Sequence, residues 1–139
     1  ISLPLQIAAS QPGPSSLGIW DGIGILLVLL GTLFEGTADL QLARWKRDPN
    51  NRGQLMTSGL WRYTRHPNYF GDFTVWWGLF CGALATGTGL WTVLAPLLMS
   101  TLLLRVSGVP LLEKAMQRRP GYAEYVRRTS SFFPRPPKD

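Results

Sequence analysis

Hydrophobic and polar residues are segregated into long blocks along this chain. The longest block, residues 73–104, contains 32 residues without Asp, Glu, Lys, Arg or His, and residues 23–34 form a second uncharged run. Membrane-spanning helices need such runs, whereas soluble domains of 139 residues rarely carry them. The pattern predicts an all-α fold, an integral membrane helical bundle.

Three transmembrane helices are expected from the boundaries of these blocks. The first is predicted from Leu17 to about Leu42. The long run would make a helix of about 48 Å, which exceeds a hydrocarbon core of roughly 30 Å, so it should fold back on itself. Thr86-Gly87-Thr88-Gly89 is the expected break, giving spans from Tyr69 to Ala85 and from Leu90 to Ser107.

A cytoplasmic amphipathic C-terminal helix is predicted after the last span. Apolar side chains recur there at helical spacing, at Leu111, Leu112, Ala115 and Met116, opposite a polar face. Pro120-Gly121 should stop this helix, and a second short amphipathic piece is predicted from Tyr122 to Arg128. Both pieces are expected to lie on the membrane surface.

The basic residues orient the predicted bundle. Six of the 14 Lys and Arg fall between Arg44 and Arg65, the other eight follow from Arg105 onward, and the remaining loops have none. The positive-inside rule therefore places the basic loop and the C-terminus in the cytoplasm of a multi-pass protein. The net charge of +6 is accompanied by no nucleic-acid-binding motif, so the expected partners are a lipid bilayer and a lipophilic small-molecule substrate, not nucleic acid.

Residues 1–139 are interpreted as one membrane domain. The chain has no initial Met and no signal peptide, and residues 1–16 resemble the end of a preceding apolar segment followed by a turn. We therefore expect it to be the C-terminal part of a longer protein. A single cysteine, Cys81, excludes an internal disulfide and is expected to be a packing residue.

Two acidic residues suggest a polar pocket at the cytoplasmic side. Asp39 lies near the end of the first predicted span and Asp72 near the start of the second, so both should lie at one depth. Acids beside a membrane span are costly and usually face protein, water or a ligand. The alternative is that they pair with nearby cations or cap helices.

The segment SGLWRYTRHPNYFGD, residues 58–72, could line that pocket. Pro67 favours a helix that starts near Asn68, with Asn68 as N-cap and Asp72 in the first turn. The preceding residues supply rings and cations suited to an anionic aromatic ligand such as an adenine nucleotide: Trp61, Arg62, Tyr63, Arg65 and His66. Alternatively, Trp61 and Tyr63 are interfacial anchors.

Other common sites are not indicated. His66 is the sole histidine and lacks Cys partners, so no metal site is predicted. Gly22-x-Gly24 follows no strand pattern, which argues against a Rossmann-type dinucleotide site.

The chain resembles the steroid 5-alpha-reductase C-terminal-like membrane proteins in three segments. The most specific segment is GLWRYTRHPNYFGD, and the others are ADLQLARWKRDPNNRGQLMTSGLW and LLEKAMQRRPGYAEYVRRTSSFFP. Their superfamily includes sterol reductases and isoprenylcysteine carboxyl methyltransferases. The resemblance implies a helical bundle that holds a nucleotide cofactor in its cytoplasmic half. NYFGD resembles the reductase box more than the methyltransferase one, and RHP is similar to both.

The resemblance implies an NADPH-dependent oxidoreductase that reduces a C=C bond of a steroid- or lipid-like substrate. Tyr69 and His66 are the candidate catalytic residues, either of which could donate the proton. The candidate cofactor-binding residues are Asp39, Arg62, Tyr63, Arg65, Asn68, Asp72 and Arg105. Glu35 stands where the 5-alpha-reductases resemble one another in having Asn, which leaves the steroid identity of the substrate open.

Two alternatives remain open from the sequence. One is an S-adenosylmethionine-dependent carboxyl methyltransferase of the isoprenylcysteine type, and the other is a non-catalytic membrane scaffold.

Overall fold

The computed structural model describes residues 2–12, 16–87 and 89–138, and these residues are mostly helical. The α-helices are α1 Leu3–Ala9, α2 Ile19–Arg47, α3 Pro67–Ala85, α4 Leu94–Thr101, α5 Val109–Met116 and α6 Tyr122–Arg128. Short 3-10 helices cover Pro49–Asn51, Gly59–Arg62 and Leu90–Val93. The described residues include no β-strand, so the predicted all-α class is confirmed.

The longest helix, α2, runs past its predicted end at Leu42 and stops at Arg47. Its first turn contains Asp21, whose carboxylate accepts a hydrogen bond from the Gly18 backbone N–H, and its last turn contains three cations. An acid at the N-terminus and cations at the C-terminus both interact favourably with the helix dipole and stabilise α2. Asp48 then leaves the helical conformation before Pro49, and its side chain caps the next turn through the Asn50 N–H.

Helices α2 and α3 pack with their backbones in direct contact through glycines. A Cβ atom built on Gly31 of α2 would lie 2.7 Å from the Gly71 carbonyl oxygen, and one on Gly78 of α3 would lie 2.9 Å from the Gly24 carbonyl oxygen. Any side chain at these positions would force the helices apart. Close approach through glycine is characteristic of helix pairs inside membranes.

Helix α3 begins at Pro67, with His66 at the N-cap position, so the prediction of Asn68 as N-cap was wrong. Proline fits the first helical position because its missing N–H would have no helical partner there. The Asn68 carboxamide instead accepts a hydrogen bond from the Tyr69 N–H. Asp72 consequently lies beyond the first turn, which contains no acid.

The last predicted span, Leu90 to Ser107, is helical as far as Val106 but irregular. The α-helical part, α4, starts just before Pro96 and follows the 3-10 turn. Proline therefore occupies the first turn, where it removes no helical hydrogen bond. A π-helical stretch, Leu102–Val106, follows, and the Ser107 N–H closes it on the Leu102 carbonyl. The predicted break before this span includes Thr88, which lies outside the described residues.

Within the described part of the chain, two helical stretches are long and apolar enough to cross a membrane, Ile19–Arg47 and Leu90–Met116. Large apolar side chains of α2, including Ile25, Leu29 and Leu33, point away from the protein. Such an exposed surface suits hydrocarbon. The other predicted span, α3, is a helix of 19 residues that packs along α2, but it is not among the stretches that are long and apolar enough to cross a membrane.

The C-terminal region folds back over one end of the bundle. The helix predicted over Tyr122 to Arg128 is confirmed as α6, and Gly121 before it has a φ of +78°, a conformation that glycine adopts readily. The Tyr125 hydroxyl donates to the Trp61 carbonyl at 2.6 Å. The last turn of α2, with Arg44, Lys46 and Arg47, lies here together with Arg65, Arg119 and the two arginines of α6, so we call this region the basic end of the bundle.

Candidate functional site

Three charged or titratable side chains meet inside the basic end. The Arg65 guanidinium, 8% exposed, donates from Nε and Nη2 to Glu113 Oε1 at 2.9 and 2.7 Å. His66 Nε2 lies 3.3 Å from the same oxygen, and the Ser131 hydroxyl donates to it at 3.2 Å. One carboxylate oxygen of α5 therefore fixes the segment that precedes α3.

The other side of Arg65 is fixed by the end of α6. Its Nη1 donates to the backbone carbonyls of Val126 and Thr129. The guanidinium thus joins three parts of the chain: the N-terminus of α3, helix α5 and the C-terminal end of α6. Its hydrogen bonds are charge-assisted and mostly buried, the setting in which such bonds are strongest.

The final segment of the chain reinforces this arrangement. The Arg65 N–H donates to the Ser130 carbonyl at 2.9 Å, and the Thr64 hydroxyl donates to the Phe132 carbonyl at 2.7 Å. The Phe132 ring packs edge-on against Phe70 and Phe73 of α3. Residues 130–132 therefore hold Thr64, Arg65 and His66 in one conformation.

A cavity of about 490 Å³ opens beside this cluster, with Arg65 and His66 in its wall. It lies between the end of α2, the loop over residues 51–56, α5 and the start of α6. The volume is in the range of about 300–1,000 Å³ that small-molecule sites occupy.

The cavity lining is cationic and aromatic. Its basic residues are Lys46, Arg52, Arg65 and Arg119, and its rings belong to Trp45, Trp61, His66, Tyr122 and Tyr125. The described lining residues include no Asp or Glu. The Tyr122 hydroxyl is buried beside the Arg65 guanidinium without a well-formed hydrogen bond. A buried polar atom of this kind is suited to a ligand partner.

Burial lowers the pKa of His66 below its ordinary value of 6.5, and the hydrogen bond to Glu113 offsets this only in part. The nearby Arg65 guanidinium lowers the pKa further. His66 is therefore neutral at pH 7. Because ionised Glu113 can only accept, the Nε2 atom facing it carries the proton, which leaves Nδ1 as an acceptor.

Acidification should destabilise the protein through His66. The unfolded chain takes up a proton near pH 6.5, whereas the folded chain does so only at lower pH, so stability falls as pH drops below about 6.5. We expect the melting temperature in detergent to fall between pH 7 and pH 5.5. His66→Gln should flatten this dependence, and an unchanged slope in the variant would contradict the assignment.

Of the nine predicted site residues, only Arg65 and His66 line the cavity. Tyr69 stands next to it, with its ring stacked on that of His66 at a centroid distance of 5.8 Å. Arg62 borders a separate surface hollow, and Tyr63 and Arg105 are exposed. Asn68, half-buried, follows Pro67 in the first turn of α3.

Asp39 and Asp72 lie on a different part of the basic end, where both interact electrostatically with Glu35. Glu35 touches Gly71 across the α2–α3 contact, which places Asp72 beside it. The described residues contain no group of three or more His, Cys, Asp or Glu that could hold a metal ion.

Several residues of the site were not singled out from the sequence. They are Glu113, which holds Arg65 from behind the cavity wall, and the lining residues Lys46, Arg52, Arg119, Tyr122 and Tyr125. Lys46 and Arg52 belonged to the basic loop, but nothing in their spacing separated them from Arg44 or Arg47. For Glu113, the sequence did offer one signal. It is an acid at the edge of the apolar face of an amphipathic helix, a position that indicates a side chain facing the protein.

The fold and this site define a helical membrane protein with a cationic, aromatic cavity at its basic end. The chain belongs to the family described as Protein of unknown function (DUF1295), whose model matches residues 1–129.

Two relatives illustrate its wider similarities. One is Uncharacterized protein C594.04c of Schizosaccharomyces pombe, 27% identical over 156 aligned positions that cover 97% of this chain and 45% of that protein. The other is Probable O-methyltransferase ustE of Ustilaginoidea virens, 32% identical over 70 positions, which cover 50% of this chain and 24% of that protein. The chain thus spans less than half the length of either relative. No solved structure matches it.

Proposed function

We propose that this chain forms the cofactor-binding part of a membrane-embedded, NADPH-dependent reductase that acts on a C=C bond of a lipophilic substrate. The observation that carries the proposal is the charge of the cavity. Four Lys or Arg side chains line it: Arg65 is paired with Glu113, whereas Lys46, Arg52 and Arg119 have no carboxylate partner among the described residues. A cationic lining attracts phosphate groups, and aromatic rings offer stacking surfaces to a nucleobase.

The residues present fit such a cofactor. Lys46 and Arg52 are exposed cations without a salt bridge to any described residue, so they are available to phosphates. Trp45 and Trp61 offer ring faces in the same wall, and the Tyr122 hydroxyl lacks a good partner. When bound, NADPH would supply a hydride to the substrate.

The protein must supply the compensating proton, and the geometry favours Tyr69 over His66 for this role. The His66 imidazole is neutral at pH 7 because of burial, and its Nε2 proton is directed at Glu113. A neutral imidazole is a weak acid. Tyr69 stacks on that ring, only half-buried, and would donate its phenolic proton to the reduced substrate. His66 then serves to position Tyr69.

A methyltransferase is the second candidate function, and the relative named as a probable O-methyltransferase favours it. Its cofactor would be S-adenosylmethionine, which carries a sulfonium and an ammonium group against one carboxylate. Lys46, Arg52 and Arg119, the lining cations without a carboxylate partner among the described residues, repel such a ligand. The charge of the lining therefore favours NADPH.

Parallel titrations of NADPH and S-adenosylmethionine into the detergent-solubilised protein test this choice. We expect NADPH to bind, and Lys46→Gln/Arg52→Gln to weaken that binding about tenfold or more, because charge-assisted contacts to phosphate are lost. The matched control is Arg44→Gln/Arg47→Gln, which removes the same charge at the end of the same helix, outside the cavity lining.

Selective binding of S-adenosylmethionine would transfer the assignment to methyl transfer. Binding of neither cofactor would make a non-catalytic scaffold the better description. An equal loss of NADPH affinity in both double variants would mean that net charge, and not this cavity, attracts the nucleotide.

A further inference from the structure

Helix α5 has one side that faces outward and does not line the cavity. Leu112, Ala115 and Met116 line the cavity. Leu111 and Lys114 are spaced three residues apart, and Arg118 follows four residues later in a turn whose backbone at Gln117 is still helical. These three residues therefore share one side of the helix, which we call the α5 outer face.

The α5 outer face combines exposed hydrocarbon with free cations. Leu111 is 58% exposed, and Lys114 and Arg118 are also exposed. Neither cation forms a salt bridge to a described residue, whereas Glu113 of the same helix turns inward to Arg65. An exposed leucine beside long basic side chains is typical of a helix that lies in a membrane interface.

The position of α5 places this face near a bilayer surface. The helix begins at Val109, separated from the π-helical stretch by Ser107 and Gly108, and it forms the last part of the stretch Leu90–Met116 that is long and apolar enough to cross a membrane. Its C-terminal end is held by the Arg119 guanidinium, which donates to the Gln54 carbonyl in the loop after α2. Helix α5 is therefore fixed at the boundary between the apolar bundle and its basic end.

We propose that the α5 outer face rests in the bilayer interface and binds the headgroups of anionic phospholipids. Lys114 and Arg118 contact the phosphates, while Leu111 enters the adjoining acyl region. The apolar contact argues for bilayer lipid over free phosphate, because a dissolved inorganic anion has no acyl chain that could contact the exposed leucine. Basic clusters next to a membrane helix attract anionic lipids in this way.

Native mass spectrometry of the detergent-solubilised full chain tests the proposal, with phosphatidylglycerol and phosphatidylcholine as probes. We expect phosphatidylglycerol to bind at lower concentration. Lys114→Gln/Arg118→Gln should raise the concentration needed for half occupancy about tenfold or more, at roughly fivefold per cation, without changing phosphatidylcholine binding.

Three controls could overturn the proposal. Arg127→Gln/Arg128→Gln removes the same charge from α6, where both cations face Glu124, and should have little effect. An equal loss in that variant would show that net charge alone attracts lipid. Displacement of phosphatidylglycerol by millimolar inorganic phosphate would indicate a free-anion site, and an absence of lipid preference in the unaltered protein would remove the basis of the proposal.

A depth measurement provides an independent test. A spin label on Leu111→Cys, in a Cys81→Ala background, should be more accessible to oxygen than to a water-soluble nickel complex in vesicles containing phosphatidylglycerol. The opposite ranking would place α5 in water. Labelling Arg128→Cys in the same background gives the reference for an exposed position away from the outer face.

Discussion

Replacing Glu113 with alanine should lower the free energy of unfolding by about 3–5 kcal/mol, because Arg65 would be left as a buried charge without its carboxylate. The same change removes the acceptor for His66 and Ser131. We therefore expect the cavity wall to loosen as well. Denaturant unfolding in mild detergent, followed by tryptophan fluorescence, measures the loss.

Two control variants show whether the loss of stability comes from the buried Arg65–Glu113 pair. Glu124→Ala breaks a pair of exposed side chains on α6 and should change stability by no more than about 1 kcal/mol. Glu113→Gln keeps an oxygen acceptor for Arg65 and should retain part of the lost stability. If Glu113→Ala proved as mild as Glu124→Ala, the Arg65–Glu113 pair could not be the support of the site.

Gly31→Ala should destabilise the bundle by about 1–3 kcal/mol, the usual cost of overpacking. The added methyl group would meet the Gly71 carbonyl oxygen at 2.7 Å and the Val75 backbone nitrogen at 2.9 Å. Since backbone atoms cannot rotate away as a side chain can, α2 and α3 must separate. Thermal unfolding in detergent measures the effect.

Gly36→Ala is the matched control on the same helix, because beyond its chain neighbours and its own helical backbone no atom lies within 4 Å of the added Cβ. Helix propensity alone would then stabilise the variant by up to about 1 kcal/mol. Opposite signs for the two substitutions are expected. Equal effects would mean that the backbone contact between α2 and α3 is not as close as described.

The sequence was informative wherever a local signal decided the structure. Long uncharged runs predicted the helical bundle, and Pro120-Gly121 placed the start of α6 at Tyr122. The error at Asn68 arose from favouring a side-chain cap, whereas the fixed φ of Pro67 makes it the first helical residue and places the N-cap at His66, two residues before Asn68. Two local preferences competed there, the side-chain cap offered by Asn68 and the preference of proline for the first helical position.

The site was less predictable because its partners are distant in sequence. Arg65 and Glu113 are 48 residues apart, and no periodicity relates them. The basic loop indicated an anionic ligand, yet only the packing of α2 against the 51–56 loop and α5 distinguishes Lys46 from the nearby Arg44. Which cations face the cavity is therefore a property of the tertiary structure.

The contacts of residues 130–132 also bear on how the protein is made. Helices α2 and α3 can pair once residue 85 has left the ribosome, but Arg65 then still lacks the Ser130 carbonyl that accepts its N–H. The cavity wall is thus completed only after the chain has been translated through this C-terminal segment. A ribosome-bound nascent chain that ends before this segment would hold the paired helices α2 and α3 without a finished cavity wall.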